Sequence, residues 1–220
     1  MAVPGQPAVL DTNRAYDAIA STILMQTGEG LTKHGRGLTV EPALAESWKF
    51  SDDYTTITYH LRPDLQWSDG QPLTAHDFEY GWKRLLAPET AAEYAYFLFD
   101  VAGAEAYNAG EASADAVGVQ AVDDRTLRVD LRRPAPYFPH ITTFMVTYPV
   151  RRDVVERYGA AWNKVLVAPG EYGWMERVTP RGERVSWTDK FYFRYKDLYP
   201  LLAGLLGFLW GVFDFRIKPA

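Results

Sequence analysis

The sequence contains no cysteine among its 220 residues. A disulfide framework, a thiolate metal site and a cysteine nucleophile are therefore excluded. Its four histidines do not suggest a metal site either, because none lies at metal-ligand spacing from another. His76 falls in the first turn of an expected helix, where a solvated side chain is the simpler interpretation. We expect neither a metal nor a cofactor.

The chain also lacks a basic excess. It has 23 lysines and arginines against 28 aspartates and glutamates, which gives a formal net charge of −5. Phosphate binding requires a concentrated basic face, so no nucleic-acid partner is expected. The balance changes along the chain, since 15 basic and 23 acidic residues precede residue 175 and 8 and 5 follow from there. The end of the chain therefore differs in character from the rest.

Signals of targeting and of catalysis are missing as well. The first residues have neither a basic start nor an apolar core of signal-peptide length, so we expect a cytoplasmic chain or a form without its leader. No nucleophile elbow, phosphate loop or dinucleotide fingerprint occurs. The acid pairs Asp52-Asp53 and Asp123-Asp124 fall in expected turns, where aspartate accepts hydrogen bonds from its own backbone. We therefore expect a protein that is not an enzyme.

The patterns that are present indicate both helices and strands. Residues 55–61 alternate in polarity and predict a half-buried strand, while residues 117–122 and 127–131 predict a hairpin. A capping box at residues 74–77 precedes a helical apolar stripe, which consists of Phe78, Trp82, Leu85 and Leu86.

Other helices are predicted within residues 16–31, broken at Gly28, and over residues 91–107 and 153–158. Together these patterns favour a mixed α/β (α+β) fold over a doubly wound parallel sheet.

Residues 42–86 carry a dense set of short motifs. They are Ala45-Glu46-Ser47-Trp48, Leu61-Arg62-Pro63, Trp67-Ser68-Asp69-Gly70 and Thr74-Ala75-His76-Asp77-Phe78. Further motifs are Val117-Gly118-Val119, Pro134-x-Pro136-Tyr137-Phe138 and Tyr158-Gly159. In these residues the chain strongly resembles the extracytoplasmic solute-binding proteins of bacterial oligopeptide, dipeptide and nickel ABC importers. The resemblance extends over about residues 8–162.

This resemblance implies a periplasmic-binding-protein type II fold, in which two lobes close on a ligand and a small extra domain lies beside the first lobe. Residues 1–162 correspond to the start of lobe one and the extra domain, and the second lobe has no counterpart in the sequence. Residues 163–220 diverge from the family pattern and are expected to form a separate C-terminal segment.

The implied function is the binding of a solute, expected to be a peptide, for transmembrane transport of oligopeptides by an ABC transporter. The implied partners are the peptide ligand and the permease subunits in the membrane. The protein is expected to be a monomer in the periplasm or another extracytoplasmic space.

The resemblance also suggests ligand contacts. Tyr16, Asp17 and Ala18 belong to a segment that lines the cleft beside the bound peptide, and Tyr94 matches a ligand-contacting position. Tyrosines in an alanine-rich helix are also common packing residues, so both interpretations of Tyr94 stay open. Trp67 is either a cleft aromatic or a core side chain at an Asp-Gly turn, and the turn chemistry favours the core.

Residues 198–213 form an uncharged apolar run. As a helix the run would be about 24 Å long, which is shorter than the ~30 Å hydrocarbon core of a membrane. It is interpreted either as a membrane-associated segment or as a buried helix. The first interpretation gives the alternative function, a membrane-associated or permease-linked protein whose tail, residues 190–220, inserts in or lies on the membrane.

Overall fold

The computed structural model describes residue 7 and residues 9–159. The helices are α1 (Ala18–Thr27), α2 (Ala75–Leu86), α3 (Ala104–Asn108), α4 (Phe138–Ile141) and α5 (Arg152–Tyr158). The strands are β1 (Thr32–His34), β2 (Val40–Pro42), β3 (Ala45–Phe50), β4 (Thr56–Leu61), β5 (Val119–Asp123) and β6 (Thr126–Asp130). The division expected after residue 162 and the apolar run 198–213 lie outside the described residues, so both stay predictions.

The main sheet has four antiparallel strands in the order β3-β4-β6-β5. β5 and β6 form the predicted hairpin, and α2 packs against both of them. The short strands β1 and β2 form a second antiparallel pair. This arrangement confirms the mixed α/β fold.

One face of the main sheet is buried, as β4 illustrates. Its alternate side chains Ile57, Tyr59 and Leu61 are fully buried. His60, between two of them, is exposed. Ile57 pairs with Val129 and Tyr59 with Leu127 on β6, so apolar side chains meet across the strands on the same face. The predicted strand and its buried face are therefore confirmed.

α2 begins at the predicted capping box. The Asp77 carboxylate accepts the backbone N–H of Thr74 at 2.8 Å, which satisfies a polar group at the start of the helix. Its apolar stripe is fully buried, and consists of Phe78, Trp82, Leu85 and Leu86. The ring N–H of Trp82 donates to the Thr147 carbonyl at 2.8 Å, which fixes the helix to the 3₁₀ turn Met145–Thr147. Capping box and stripe are both confirmed.

The single helix predicted over residues 91–107 is wrong. The chain forms a 3₁₀ turn, Ala95–Leu98, and then the short helix α3. Val101, between them, pairs with Leu131 in an isolated bridge. Gly103 then adopts a φ of +71°, and a Cβ at this position would collide with the Ala116 carbonyl. The alanine-rich composition favours a helix locally, but a long-range bridge and a left-handed turn interrupt it.

Two glycines close the loop after α1 tightly. α1 ends at Thr27, and Gly28, where the sequence predicts the break, is its C-cap. A Cβ at Gly28 would lie 2.7 Å from Cδ2 of Tyr148. A Cβ at Gly30 would lie 2.5 Å from the carbonyl oxygen of Thr142. Both positions therefore require glycine for this close approach. At the other end of the described chain, α5 begins one residue before the helix predicted over residues 153–158.

Within the described part of the chain, no helix is both long enough and apolar enough to cross a membrane.

Candidate functional site

Tyr16 and Tyr94 are brought together although 78 residues separate them. The Tyr94 hydroxyl donates to the backbone carbonyl of Tyr16 at 3.0 Å. This contact lies at the surface, since the Tyr16 side chain is 54% exposed. Two of the segments that the resemblance suggested as ligand contacts therefore share one exposed surface, which we call the Tyr16–Tyr94 surface.

Asp17 and Ala18 continue this surface into the start of α1. Asp17 is the N-cap, and its Oδ1 accepts the backbone N–H of Ala20 at 2.7 Å. Its carboxylate therefore fixes the direction in which the chain enters the helix. Ala18, the first helical residue, is exposed. Its side chain is only a methyl group, so little side-chain volume covers its backbone.

A buried ion pair holds the segment that precedes Tyr16. Arg84 of α2 donates to Asp11 from both terminal nitrogens, at 2.9 and 2.6 Å, and to Oδ1 of Asn13 at 2.7 Å. The Asp11 side chain is only 4% exposed and that of Arg84 15%. Asn13 reaches the Val146 carbonyl at 3.4 Å. α2 therefore positions the Tyr16 segment, because a charge pair so far removed from water strongly favours one geometry.

Tyr94 also belongs to a cluster of aromatic rings that was not predicted. Its ring meets those of Tyr96, Phe97 and Phe144 edge-on, with centroid distances of 6.1, 5.8 and 5.9 Å. The dense aromatic run at residues 94–97 was a possible signal for this cluster. Nothing local indicated Phe144, which the tertiary fold brings in from a distant segment.

Trp67 lies in the core and not on the Tyr16–Tyr94 surface. Its side chain is 3% exposed. The turn that it begins is closed by a hydrogen bond from the Gly70 N–H to the Trp67 carbonyl at 2.8 Å, with Gly70 at a φ of +83°. Arg151 secures the turn from outside, since its Nη1 lies 3.0 and 2.8 Å from the two carboxylate oxygens of Asp69. A ligand contact of Trp67 stays a prediction, and it would require this turn to move.

One member of each acid pair accepts hydrogen bonds within its turn. Asp53 accepts the Ser51 hydroxyl at 2.6 Å and the Thr55 N–H at 3.1 Å, and these bonds lower its pKa to about 2. The backbone N–H of Arg125 bonds to Asp123 at 2.8 Å and lowers the pKa of that carboxyl. Among the described residues, no three histidine, aspartate or glutamate side chains are grouped so that they could hold a metal ion.

Comparison with known proteins gives a family match over most of the chain. The model of the bacterial extracellular solute-binding proteins, family 5 Middle, matches residues 39–196, which extends past the boundary expected at residue 162. The oligopeptide-binding protein OppA of Bacillus subtilis is 39% identical over 158 residues, 72% of this chain and 29% of that protein. The probable deoxycholate-binding periplasmic protein YgiS of Escherichia coli is 40% identical over 161 residues, 72% of this chain and 30% of that protein.

A solved structure agrees with the type II fold. The substrate-binding domain of an oligopeptide ABC transporter from Bacillus anthracis superposes with a TM-score of 0.71 at 40% identity, over 74% of this chain and 32% of that one. The chain spans about a third of the length of the curated relatives it matches. These matches do not support the alternative of a membrane-associated or permease-linked protein. The resemblance first seen in residues 42–86 is confirmed, and the chain belongs to family 5 of the bacterial extracellular solute-binding proteins.

Proposed function

We propose that this chain forms part of the solute-binding component of an ABC importer for oligopeptides, and that an extended peptide lies along the Tyr16–Tyr94 surface. The observation that carries the proposal is the Tyr94 hydroxyl bond to the Tyr16 carbonyl at 3.0 Å on an exposed surface. Family membership and relatives named as oligopeptide-binding proteins support it. The role is capture of a ligand without chemical conversion.

A tyrosine hydroxyl in this position suits a peptide main chain. It has one proton, which is donated to Tyr16, and two lone pairs that can accept an N–H from a ligand. The backbone of residues 16–18 offers further polar groups at the start of α1. Every peptide presents the same N–H and C=O groups, so contacts of this kind allow side chains to vary.

The proposal extends to location and partners. The protein acts outside the cytoplasm, since relatives carry the word periplasmic in their names. It works as a monomer that delivers its ligand to permease subunits in the membrane. Within the site, Asp17 fixes the direction of the backbone through its helix cap, and Ala18 continues that backbone. Trp67 is buried, so it contacts the ligand only if its turn moves.

A second candidate ligand is a bile-acid-like amphipathic molecule. The relative YgiS is named as a probable deoxycholate-binding protein and is 40% identical to this chain. The aromatic rings around Tyr94 offer an apolar surface to such a ligand as well. Titration with deoxycholate beside the peptides separates the two candidates.

The test is an NMR titration of the labelled chain with a pool of tri- to pentapeptides, raised to millimolar concentrations. Saturable shifts are expected at residues 16–18 and at Tyr94. Tyr94→Phe removes the hydroxyl and should weaken binding about 2- to 12-fold, the equivalent of one hydrogen bond of ~0.5–1.5 kcal/mol.

The matched control is Tyr137→Phe, which removes another exposed tyrosine hydroxyl, one that donates to Asp100 at 2.7 Å. This control should bind peptides like the parent chain. Equal affinities of the Tyr94 and Tyr137 variants, or no saturable peptide shift at all, would refute the proposed site.

A further inference from the structure

Three aromatic rings form a stack beside Tyr94. Phe97 lies between Phe144, at a centroid distance of 4.8 Å and an interplanar angle of 26°, and Tyr96, at 4.9 Å and 27°. These values are those of stacked rings, and the distances fall within the range in which aromatic pairs attract one another. Among the described ring pairs, Phe97 therefore has two stacked neighbours, whereas Tyr96 and Phe144 have one each.

Tyr96 is the end of the stack that faces solvent. Its side chain is 55% exposed, whereas Phe97 and Phe144 are partly buried. Among the described residues, no group forms a hydrogen bond with the hydroxyl of this ring, and its ring contacts are the stacked face of Phe97 and the edge-on ring of Tyr94 at 84°. The exposed ring leaves apolar surface in contact with water, which is unfavourable. A ligand group that covers the ring removes this surface from water, and the burial adds to the binding free energy.

The stack adjoins the Tyr16–Tyr94 surface, along which the peptide is proposed to lie, because Tyr94 contacts both. The Tyr94 ring lies 6.1 Å from that of Tyr96, and its hydroxyl bonds to the Tyr16 carbonyl at 3.0 Å. A peptide whose main chain contacts the Tyr94 hydroxyl therefore passes within one side-chain length of Tyr96. No lysine or arginine lies in the 94–97 segment or among its described ring partners, and the charged residue that precedes the segment is Glu93.

We propose that Tyr96 is a specificity-determining residue that stacks on a planar aromatic side chain of the bound ligand, and so selects peptides containing phenylalanine, tyrosine or tryptophan. The inference rests on the proposed function and adds a ligand class to it. Simple burial would favour leucine and phenylalanine alike, whereas stacking against a π face favours the aromatic ring.

The experiment is a titration of the full chain with tetrapeptides that are alanine at all positions but one, which carries phenylalanine, leucine, arginine or alanine. Each of the four positions is tested in turn. At one position phenylalanine should bind about three- to tenfold more tightly than leucine. Tyr96→Ala should abolish that advantage, and Tyr96→Phe should retain it.

Tyr54→Ala is the matched control, because Tyr54 is 47% exposed and its ring also contacts a phenylalanine, Phe50, at 5.2 Å. This variant should keep the full preference, and circular dichroism should show both alanine variants folded. Equal binding of the phenylalanine and leucine peptides, tightest binding of the arginine peptide, or a preference that survives Tyr96→Ala would each overturn the inference and leave the proposed function standing. Absence of binding by every peptide would overturn both.

Discussion

Trp82 combines two roles that usually fall to different residues. Its ring is fully buried and meets Phe138 edge-on at 6.0 Å, so it fills the core. Its ring N–H also donates to the Thr147 carbonyl at 2.8 Å. A buried carbonyl needs a donor, so the same side chain both packs α2 and satisfies the neighbouring turn.

Trp82→Ala should therefore lower the free energy of unfolding by about 3–5 kcal/mol, since it leaves a cavity and an unsatisfied carbonyl. Urea unfolding followed by circular dichroism measures the loss. Trp48→Ala is the control, because Trp48 is only partly buried and should cost clearly less. If the two variants unfold at the same urea concentration, Trp82 is not the core residue described here.

Near the start of α2, the carboxyl group of Asp77 is largely removed from water, which makes its ionised form less favourable. Burial raises the pKa of Asp77 above its ordinary value of 3.8, although the Thr74 N–H and the charge of Arg151 act in the opposite direction. The unfolded chain therefore ionises at lower pH than the folded one. As pH rises from 3.8 towards the raised pKa, this group lowers the free energy of unfolding. Below 3.8 the carboxyl group is protonated in both states, and this loss of stability disappears.

Asp77→Asn keeps an acceptor for the Thr74 N–H but cannot ionise. The stability of the parent chain relative to this variant should therefore fall as pH rises above 3.8, as measured by urea unfolding at each pH. Asp123→Asn is the control of opposite sign, because a backbone hydrogen bond lowers the pKa of Asp123. There, the parent's relative stability should fall as pH drops below 3.8. A flat difference for Asp77 would contradict the burial effect.

The Arg84–Asp11 pair joins three parts of the molecule that are distant in sequence. It ties the N-terminal segment to α2 and, through Asn13, to Val146 within the Met145–Thr147 turn. The position of the Tyr16–Tyr94 surface therefore depends on the Arg84–Asp11 pair, which lies outside that surface. Removing one member of such a pair leaves the other charge buried, which costs more than the pair contributes when intact.

Arg84→Met should lower the free energy of unfolding by about 3–5 kcal/mol and speed amide exchange at residues 13–16. Its peptide affinity should fall with the loss of this anchor. Lys83→Met is the matched control, since it breaks only the more exposed Lys83–Glu79 pair within α2, which is worth about 0.3–0.5 kcal/mol. Similar unfolding and exchange in both variants would show that the buried pair does not hold the segment.

The elements that the sequence predicted correctly depend on neighbours along the chain. The alternation in β4 and the Thr74–Asp77 capping box involve residues two or three apart, so their pattern is visible in the sequence. The β5–β6 hairpin needs only a short turn between two such strands. The family motifs were visible for the same reason, since they are short and ordered along the chain.

Only the tertiary structure decided which distant residues meet. The Tyr94–Tyr16 bond spans 78 positions, and Phe144 joins the aromatic stack from another segment. The Val101–Leu131 bridge likewise overrode the helical composition of residues 91–107. Closing a loop costs entropy that depends only weakly on its length, so a local pattern carries little information about which long-range contact repays that cost. The chain's own sequence therefore determined the family and those elements whose pattern is local, such as β4 and α2. The packing of α2 against the sheet and the N-terminal segment determined the site.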